Sequence, residues 1–542
     1  MSTEATAGGD FSRNTAVMAA GTALSRLTGF GRVFALAYAL GLTRVTDSYN
    51  LANTTPNIVY ELVVGGVLSA TLLPVFVRLH ATAEEDEAWQ GASAIVTMVV
   101  VIVVALSVVL ALGAPVFIRL YTLANHGASA HDQRVVATFL LRLFAPQVAF
   151  YGLVTVSTAL LHAHRRFALP MFAPVLNNLV VIAVLLTFPH VAGSLSLTAL
   201  AHDRGALLWL GLGTTAGVAA MAAPQWLAAL RRGGGRLRFR WDPRHPAVRT
   251  VLRLSVWTLG FTAANQVAYW VVLLLANRHS GDLSAYQAAY QYFFLLPHGI
   301  IAVSLMSALQ PDLAEHWSLG RVDEFRARLS TGLRTLIAVL LPAAVGYITL
   351  ARPIVQLLLG HGAMSSGDVR IVADVLVMMG LGLPAFSAYL LLMRAYQAMQ
   401  DTRQVFLLYL VENAVNIVLA LVLYPSMGVR GLALAFTLAY AAGTAAALFT
   451  IRRRIGGLEG RALARSVLRV GVASAAMAVV TLLSARFVGA ASGPWLALRV
   501  TAGVVAGVTV YVAAARRLGV DEFFALLPLR RRGIRKGKGR PG

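Results

Sequence analysis

Residues 94–112 read AIVTMVVVIVVALSVVLAL, a run of 19 residues without a charged side chain. A helix of this length rises about 28 Å, close to the roughly 30 Å hydrocarbon core of a bilayer. Similar runs recur along the chain, in which 58% of the 542 residues are hydrophobic, 13% are charged and the mean hydropathy is +0.70. A soluble core cannot hide so much apolar surface, so we predict an integral membrane protein.

The apolar runs predict an all-α membrane fold with about fourteen transmembrane helices. These predicted spans lie near residues 15–41, 53–78, 92–120, 135–161, 168–189, 206–230, 247–276, 284–313, 331–350, 369–396, 404–424, 428–451, 466–486 and 495–515. Several contain proline, including Pro56, Pro146 and Pro297. Such breaks are tolerated in a membrane where neighbouring helices or a cavity satisfy the freed backbone groups.

The placement of arginine predicts the orientation, because short cytoplasmic loops are enriched in positive charge. The even-numbered loops carry Arg165, Arg166, Arg231, Arg232, Arg236, Arg238, Arg240, Arg244, Arg249, Arg321, Arg326, Arg328, Arg452, Arg453, Arg454 and Arg461. The odd-numbered loops hold at most one or two arginines each. We therefore expect a multi-pass protein of the bacterial inner membrane with both termini in the cytoplasm. Because the formal charge of +23 is spread between spans, we expect no nucleic-acid partner.

The loop with the most arginines, 231–249, predicts a cytoplasmic linker between two pseudo-symmetric lobes. We expect an N-terminal lobe over 1–230, a C-terminal lobe over 250–450, two further spans in 451–517 and a basic cytoplasmic tail over 518–542. A shift of 235 residues aligns Asn178 with Asn413, and transporters are often built from two related halves. The tail either contacts anionic lipid headgroups or serves only as a topology anchor.

The sequence lacks the common motifs of enzyme active sites. It contains no cysteine, no phosphate-binding GxxxxGK[ST], no HExxH and no GxSxG, and its carboxylates show no metal-ligand spacing. We therefore predict a transporter that needs no cofactor.

Ionisable residues within spans are informative, because a charge in hydrocarbon is costly unless it is paired or lines water. Arg26 and Arg32 are six residues apart, so they share a face only if the helix is distorted at 29–31. If it is, both could bind a diphosphate through charge-assisted hydrogen bonds. Alternatively, they snorkel or pair with Glu61, and such a pair could be a gate or a structural brace.

A second polar group lies in the predicted span 404–424. Glu412 and Asn416 are four residues apart and share a helix face, and Asn413 lies beside them. Their oxygens could bind a coupling cation such as Na⁺ or exchange a proton. The alternative is a hydrogen-bonded brace between helices.

Several motifs resemble the MurJ (MviN) family. They are SRLTGFGR at 25–32, DSYNLAN at 47–53 followed by Pro56 and Asn57, RFALP at 166–170, PVLNN at 174–178, LPHGI at 296–300 and AYQAMQDT at 395–402. The resemblance extends over nearly the whole chain in the same order. It implies fourteen helices in two lobes, as in the multidrug/oligosaccharidyl-lipid/polysaccharide exporter superfamily, and it implies a flippase for lipid II, the undecaprenyl-diphosphate-linked peptidoglycan precursor.

The resemblance also implies site residues. The family's essential arginines fall on Arg26 and Arg32 and its conserved outer-side aspartate on Asp47, and Asn57 and Glu61 complete the candidates in this half. Proteobacterial members have arginines where Tyr60 and Glu61 stand, and an Asp-Arg pair at Gln291 and Tyr292, so the chain looks more like actinobacterial members. Arg253 and Arg394 are the candidates to compensate.

The resemblance and the residues together favour alternating access that moves lipid II across the membrane. The membrane potential could reset an empty cationic cavity, or Na⁺ or a proton at Glu412 and Asn416 could couple to transport. Membrane lipids and cell-wall synthesis or division proteins are expected as further partners. The rival hypotheses are an exporter of another polyprenyl-linked saccharide and a non-transporting scaffold for envelope synthesis.

Overall fold

A computed structural model describes residues 2–62, 72, 74–79, 84–164, 166–232, 236–488 and 493–525, with side chains described for all of these except 2–19, 252–261 and 494. The described part is helical and contains no β-strand. Its helices are α1 (Ser2–Leu40), α2 (Arg44–Tyr60), α3 (Glu85–Tyr121), α4 (Ala130–Phe144), α5 (Gln147–Ala163), α6 (Ala168–Val191), α7 (Leu197–His202), α8 (Arg204–Arg232), α9 (Pro246–Ala276), α10 (Asp282–Ser318), α11 (Val322–Leu359), α12 (Ser366–Ala398), α13 (Thr402–Met427), α14 (Val429–Ile455), α15 (Gly460–Phe487), α16 (Pro494–Arg517) and α17 (Asp521–Ala525).

Eleven helical stretches in the described part are long and apolar enough to cross a membrane, with α4 and α5 counted together. They confirm the predicted all-α membrane fold. The other three predicted spans fall on α1, α2 and α9, although part of 53–78 lies outside the described residues. The break between α4 and α5 lies at Pro146, as expected for a residue that has no N–H to donate.

The chain forms two compact units. Unit 1 comprises Met1–Ser284 and His361–Met364, and unit 2 comprises Ala285–Gly360 and Ser365–Gly542. This division by contacts places α9 in unit 1, whereas the lobes predicted from the sequence begin and end at the basic linker. The predicted lobes are a division by topology and stay a prediction.

Glycines bring the helices of unit 1 close together. On α8, a Cβ added to Gly217 would lie 2.7 Å from Asn177 Oδ1 on α6, and one added to Gly213 would lie 2.5 Å from Val184 Cγ2. Helices in a membrane associate through such close packing of small residues, because lipid tails are as apolar as the side chains themselves. The tight packing of α8 fixes the position of α6 beside α1.

Aromatic rings fill the interior of unit 2. Phe294 packs edge-on against Phe386 and Phe436, with ring centroids 5.1 and 5.4 Å apart. The backbone of α10 widens into π-helical turns at Ala289–Phe294 and His298–Ala302, on either side of Pro297. Such turns accommodate a residue that interrupts the regular hydrogen-bond ladder, and they are frequent at functional sites.

Candidate functional site

The two arginines of α1 lie on different faces. The helix is continuous from Ser2 to Leu40, so the expected distortion at 29–31 is absent. At 100° per residue, side chains six positions apart diverge by about 120°. The expectation that Arg26 and Arg32 point to one place through a distorted helix is therefore wrong for this conformation. The helix persists because an unpaired backbone group in hydrocarbon costs several kcal/mol.

Arg26 is exposed on the protein surface near the middle of the predicted span 15–41. The described residues give its guanidinium neither a hydrogen bond nor an ion pair. A charge in this position costs about 3 kcal/mol or more in hydrocarbon, unless water or an anionic ligand reaches it. Arg26 is thus available to a ligand without breaking an internal contact.

Arg32 is half-buried beside a group of tyrosines that sequence reasoning missed. Its charge acts electrostatically on the hydroxyls of Tyr49 and Tyr151. The ring of Tyr151 lies 5.1 Å from that of Tyr60, and the Tyr49 hydroxyl shares a 3.2 Å hydrogen bond with Thr214. Arg32 thus lies near tyrosine hydroxyls from α2 and α5. The sequence feature that could have indicated this group is the presence of tyrosines within or beside the predicted spans.

Glu61 and Asn57 do not reach the arginines of α1. Glu61 is exposed and forms no ion pair with Arg26 or Arg32 in the described part of the chain, so the predicted pair is absent in this conformation. The Asn57 side chain donates to the carbonyl of Asn53 at 2.9 Å, within its own helix. Neither residue has an assigned ligand role in the observed geometry.

Asp47 is buried at the start of α2 and holds the loop between α9 and α10. Its carboxylate accepts hydrogen bonds from the Gly281 N–H at 2.7 Å, from the Ser284 N–H at 3.1 Å and from the Ser284 hydroxyl at 2.7 Å. Arg44 lies 4.0 Å away and donates to the carbonyl of Asn277 at 2.8 Å. Burial raises the pKa of the Asp47 carboxyl from 3.8 to about 6, against the opposing effect of these donors. The observed contacts give Asp47 a tethering role.

The two arginines proposed to compensate differ in what the structure shows. The Arg253 backbone belongs to α9, but its side chain lies outside the described residues. Arg394 is exposed, and its guanidinium donates to the amide oxygens of Gln310 and Gln397, both at 3.4 Å. These are long contacts to uncharged acceptors, and an anionic acceptor would bind the guanidinium more strongly.

The acidic group on α13 is enclosed. Glu412, Asn413 and Asn416 are 2%, 7% and 8% exposed. The Asn413 amide donates to the Tyr409 carbonyl at 2.8 Å, whereas the Asn416 side-chain oxygen has no hydrogen-bond partner in the described part. Glu412 likewise forms no ion pair or hydrogen bond there. The structure thus gathers these three residues as predicted.

Tyrosines surround Glu412, another feature that sequence reasoning missed. Tyr389, Tyr409 and Tyr440 lie within electrostatic range of its carboxylate, and the Tyr389 hydroxyl is buried without a hydrogen-bond partner among the described residues. Unsatisfied oxygens are ligands that Na⁺ or a proton can use. No group of three or more histidine, cysteine or acidic residues in the described ranges could hold a metal ion.

The fold and these side chains define a polytopic helical membrane transport protein, with an accessible cation in one unit and an enclosed carboxylate in the other. The sequence model for the family described as lipid II flippase MurJ matches residues 36–520. The chain belongs to this MurJ family, which confirms the resemblance of its motifs.

Curated relatives agree over most of the chain. A probable lipid II flippase MurJ of Thermotoga maritima is 28% identical over 523 residues, covering 95% of this chain and 98% of the relative. A probable lipid II flippase MurJ of Rhizobium meliloti is 27% identical, covering 76% and 75%. These relatives are named as flippases, and the chain is accordingly a transporter rather than an enzyme.

Solved structures share the fold. A lipid II flippase MurJ in an inward closed conformation has a TM-score of 0.75 at 21% identity, covering 92% of this chain and 99% of that one. An inward-facing MATE family multidrug transporter of the MOP superfamily has a TM-score of 0.66 at 13% identity, covering 81% and 99%. The similarity to both shows that this chain shares their fold.

Proposed function

We propose that this chain translocates lipid II from the cytoplasmic to the outer leaflet of the bacterial inner membrane by alternating access. Membership of the MurJ family supports the substrate. The structural observation that carries the proposal is the guanidinium of Arg26, which is exposed at mid-span and has no partner among the described residues. A lipid-linked diphosphate is an anion that enters from the bilayer, and it would neutralise this charge.

The chemistry of arginine suits this role. Its planar guanidinium donates two parallel hydrogen bonds to phosphate oxygens and keeps its charge at all physiological pH values. Arg26 would make the first contact, because no internal partner must be displaced. Arg32, half-buried among the tyrosines, would bind the diphosphate only after it moved along the helix. Arg394 could replace its glutamine partners by phosphate oxygens.

Energy for the cycle has three possible sources in this proposal. A Na⁺ ion or a proton at Glu412 and Asn416 would couple transport to an ion gradient. The membrane potential would act directly on an empty cationic site, at about 2.3 kcal/mol per charge per 100 mV. The buried, unsatisfied oxygens around Glu412 favour an ion or a proton.

The orientation and further partners also belong to the proposal. The arginine distribution supports cytoplasmic termini and a cytoplasmic linker. Because the chain has no cysteine, single cysteines introduced in successive loops and labelled from outside the cell would map the topology directly. We further propose that cell-wall synthesis proteins contact the basic tail after Arg517. Truncation there should weaken such contacts and leave transport largely intact.

The proposed function is tested by rescue of a bacterial strain depleted of its own lipid II flippase. The parent should restore growth, and both Arg26→Ala and Arg32→Ala should abolish rescue at matched membrane expression. Arg370→Ala is the matched control, because Arg370 is another exposed helical arginine without a partner in the described part. Failure of a well-expressed parent would instead favour export of another polyprenyl-linked saccharide or a scaffold role.

A further inference from the structure

A segment with the sequence RLRFRW covers 236–241 between α8 and α9 and is neither helix nor strand; its alternate N–H groups, at 238 and 240, face the same helix, which indicates an extended course. Its backbone is tethered to α3: the Arg238 N–H donates to Ser93 Oγ at 3.2 Å, and the Arg240 N–H donates to Thr97 Oγ1 at 2.9 Å. Ser93 and Thr97 are one helical turn apart and buried, so α3 holds the segment at two points.

The tether gives the segment two chemically different faces. Side chains alternate between faces in extended backbone, so the arginines project to one side and the apolar residues to the other. Arg236 pairs with Glu85, and Arg240 donates to Gln90 Oε1 at 2.7 Å. On the alternate positions, Phe239 is 79% exposed and Trp241 is 56% exposed.

The segment and the residues that flank it in sequence are rich in arginine, and the acidic run 84–87 at the start of α3 pairs with only part of that charge, through Glu85 and Arg236. Between Arg231 and Arg249 the sequence has seven arginines and only one acidic residue, Asp242. Five of these arginines are exposed, and their side chains form no ion pair or hydrogen bond with the described residues: Arg231, Arg232, Arg238, Arg244 and Arg249. Arg238 and Phe239 also line a cleft of about 570 Å³, together with Trp89 and Ser93.

From this geometry we propose that 236–241 is an interfacial anchor that binds the headgroups of anionic phospholipids. Phe239 and Trp241 enter the boundary between headgroups and acyl chains, where amphipathic aromatic rings are favoured. The unpaired arginines then contact lipid phosphates, since basic clusters next to a transmembrane helix attract an anionic leaflet. The anchor would fix the cytoplasmic ends of α3 and α9 at the membrane surface. That the anchor lies on the cytoplasmic side of the membrane depends on the orientation proposed above. Its binding to lipid does not depend on the proposed transport function.

The test uses the full chain, whose lack of cysteine allows a single spin label. Phe239→Cys is labelled with a nitroxide and reconstituted in nanodiscs of phosphatidylglycerol and phosphatidylcholine, or of phosphatidylcholine alone. Accessibility to oxygen and to a water-soluble nickel complex reports the depth of the label. Ser318→Cys is the matched control, because Ser318 is the exposed last residue of α10 and lies on the same predicted side of the membrane.

The label at 239 should be accessible to oxygen and shielded from nickel in anionic nanodiscs, and more aqueous in phosphatidylcholine. Adding Arg238→Gln and Arg244→Gln should lower the ratio of docked to undocked segments about 30-fold, since each arginine near the surface contributes about 1 kcal/mol. A label that is aqueous in anionic nanodiscs would overturn the proposal. Equal depth in both lipids, unaffected by the glutamines, would overturn the headgroup role.

A lipid II transport assay on the same variants separates this inference from the proposed function. Absence of lipid II transport by the parent, with normal docking of its labelled segment, would contradict the flippase and leave the anchor standing. Normal transport by the parent, with a label at 239 that stays aqueous, would contradict the anchor and leave the flippase standing.

Discussion

Arg26 in unit 1 and Glu412 in unit 2 are ionisable residues near the middle of a predicted span, and neither forms an ion pair in the described part of the chain. They differ in the sign of the charge that each can carry and in accessibility. Arg26 is exposed, whereas Glu412 is 2% exposed and enclosed by tyrosines. An exposed cation can meet a large anion directly, while an enclosed carboxylate admits only a small cation or a proton. The difference supports our proposal that unit 1 binds the substrate and unit 2 binds the coupling ion.

This assignment predicts its largest effect on substrate binding. Arg26→Ala should weaken lipid II binding by roughly 10- to 100-fold, because a hydrogen bond to a charged group contributes about 1.5–3 kcal/mol. Arg26→Lys should lie between the alanine variant and the parent, because lysine keeps the charge and loses the bidentate geometry. Titration of purified protein with lipid II in detergent measures both.

Glu412→Gln is the contrasting variant in that titration. It should bind lipid II within about two-fold of the parent. An equal loss of affinity in Arg26→Ala and Glu412→Gln would contradict the proposal that Arg26 binds the substrate and Glu412 binds the coupling ion.

The second prediction concerns cations. If Glu412 binds Na⁺, the melting temperature of the purified parent should rise with Na⁺ relative to choline, since a ligand at 100 times its Kd stabilises the folded state by about 2.7 kcal/mol. Glu412→Gln should lose this rise, whereas the exposed control Glu315→Gln should keep it. If the ion is a proton, the parent's stability and transport should respond to pH and not to Na⁺. A Na⁺ effect that survives in Glu412→Gln would place the ion elsewhere.

The third prediction concerns the tether at Asp47, where the charge is internally satisfied. The folded-state pKa of about 6 exceeds the ordinary 3.8, so stability from the protonated form is complete below about pH 4 and is lost as the pH rises through about 6. Between pH 5 and 7 the parent should therefore lose about 1 kcal/mol, seen as a lower melting temperature.

Asp47→Asn should flatten that pH dependence, because asparagine does not titrate. Asp132→Asn, at a partly exposed aspartate that accepts a hydrogen bond from Thr198, should leave the slope unchanged. A parent whose melting temperature rises from pH 5 to 7, with Asp47→Asn reversing it, would mean that the hydrogen bonds outweigh burial.

The spans could be predicted from the sequence because crossing a membrane depends mainly on length and apolar composition, which 94–112 already displays. The cluster at Glu412 was also predictable, since its three polar residues lie within one helical turn or so. The contacts of Asp47 and Arg32 could not be predicted from the sequence. The donors to Asp47 lie more than 230 residues away in the chain, and the tyrosines near Arg32 come from α2 and α5. Only tertiary packing brings such residues together.

The glycines at 29 and 31 do not distort α1, although the sequence left such a distortion open, and the reason is physical. Glycine weakens helices in water, where the freed backbone can bind solvent. In a membrane the same backbone has no alternative partner, so the helix continues through both glycines. The relative direction of Arg26 and Arg32 follows from that continuity.

The smallest effect is expected at Glu61, an acidic residue like Glu412 that is exposed in unit 1 and has no partner in the described part of the chain. Because it touches neither Arg26 nor Arg32 in this conformation, Glu61→Gln should change stability by no more than about 0.5 kcal/mol and rescue by less than two-fold. Melting temperature and growth rescue measure the two quantities, with Glu315→Gln as the control. A large loss of rescue with unchanged stability would mean that Glu61 meets an arginine in another conformation, which would restore the gate that the sequence suggested. A large loss of stability would instead restore the brace. An intermediate result in Glu61→Gln that grows in Glu61→Arg would show that this position tunes the positive potential felt by the diphosphate.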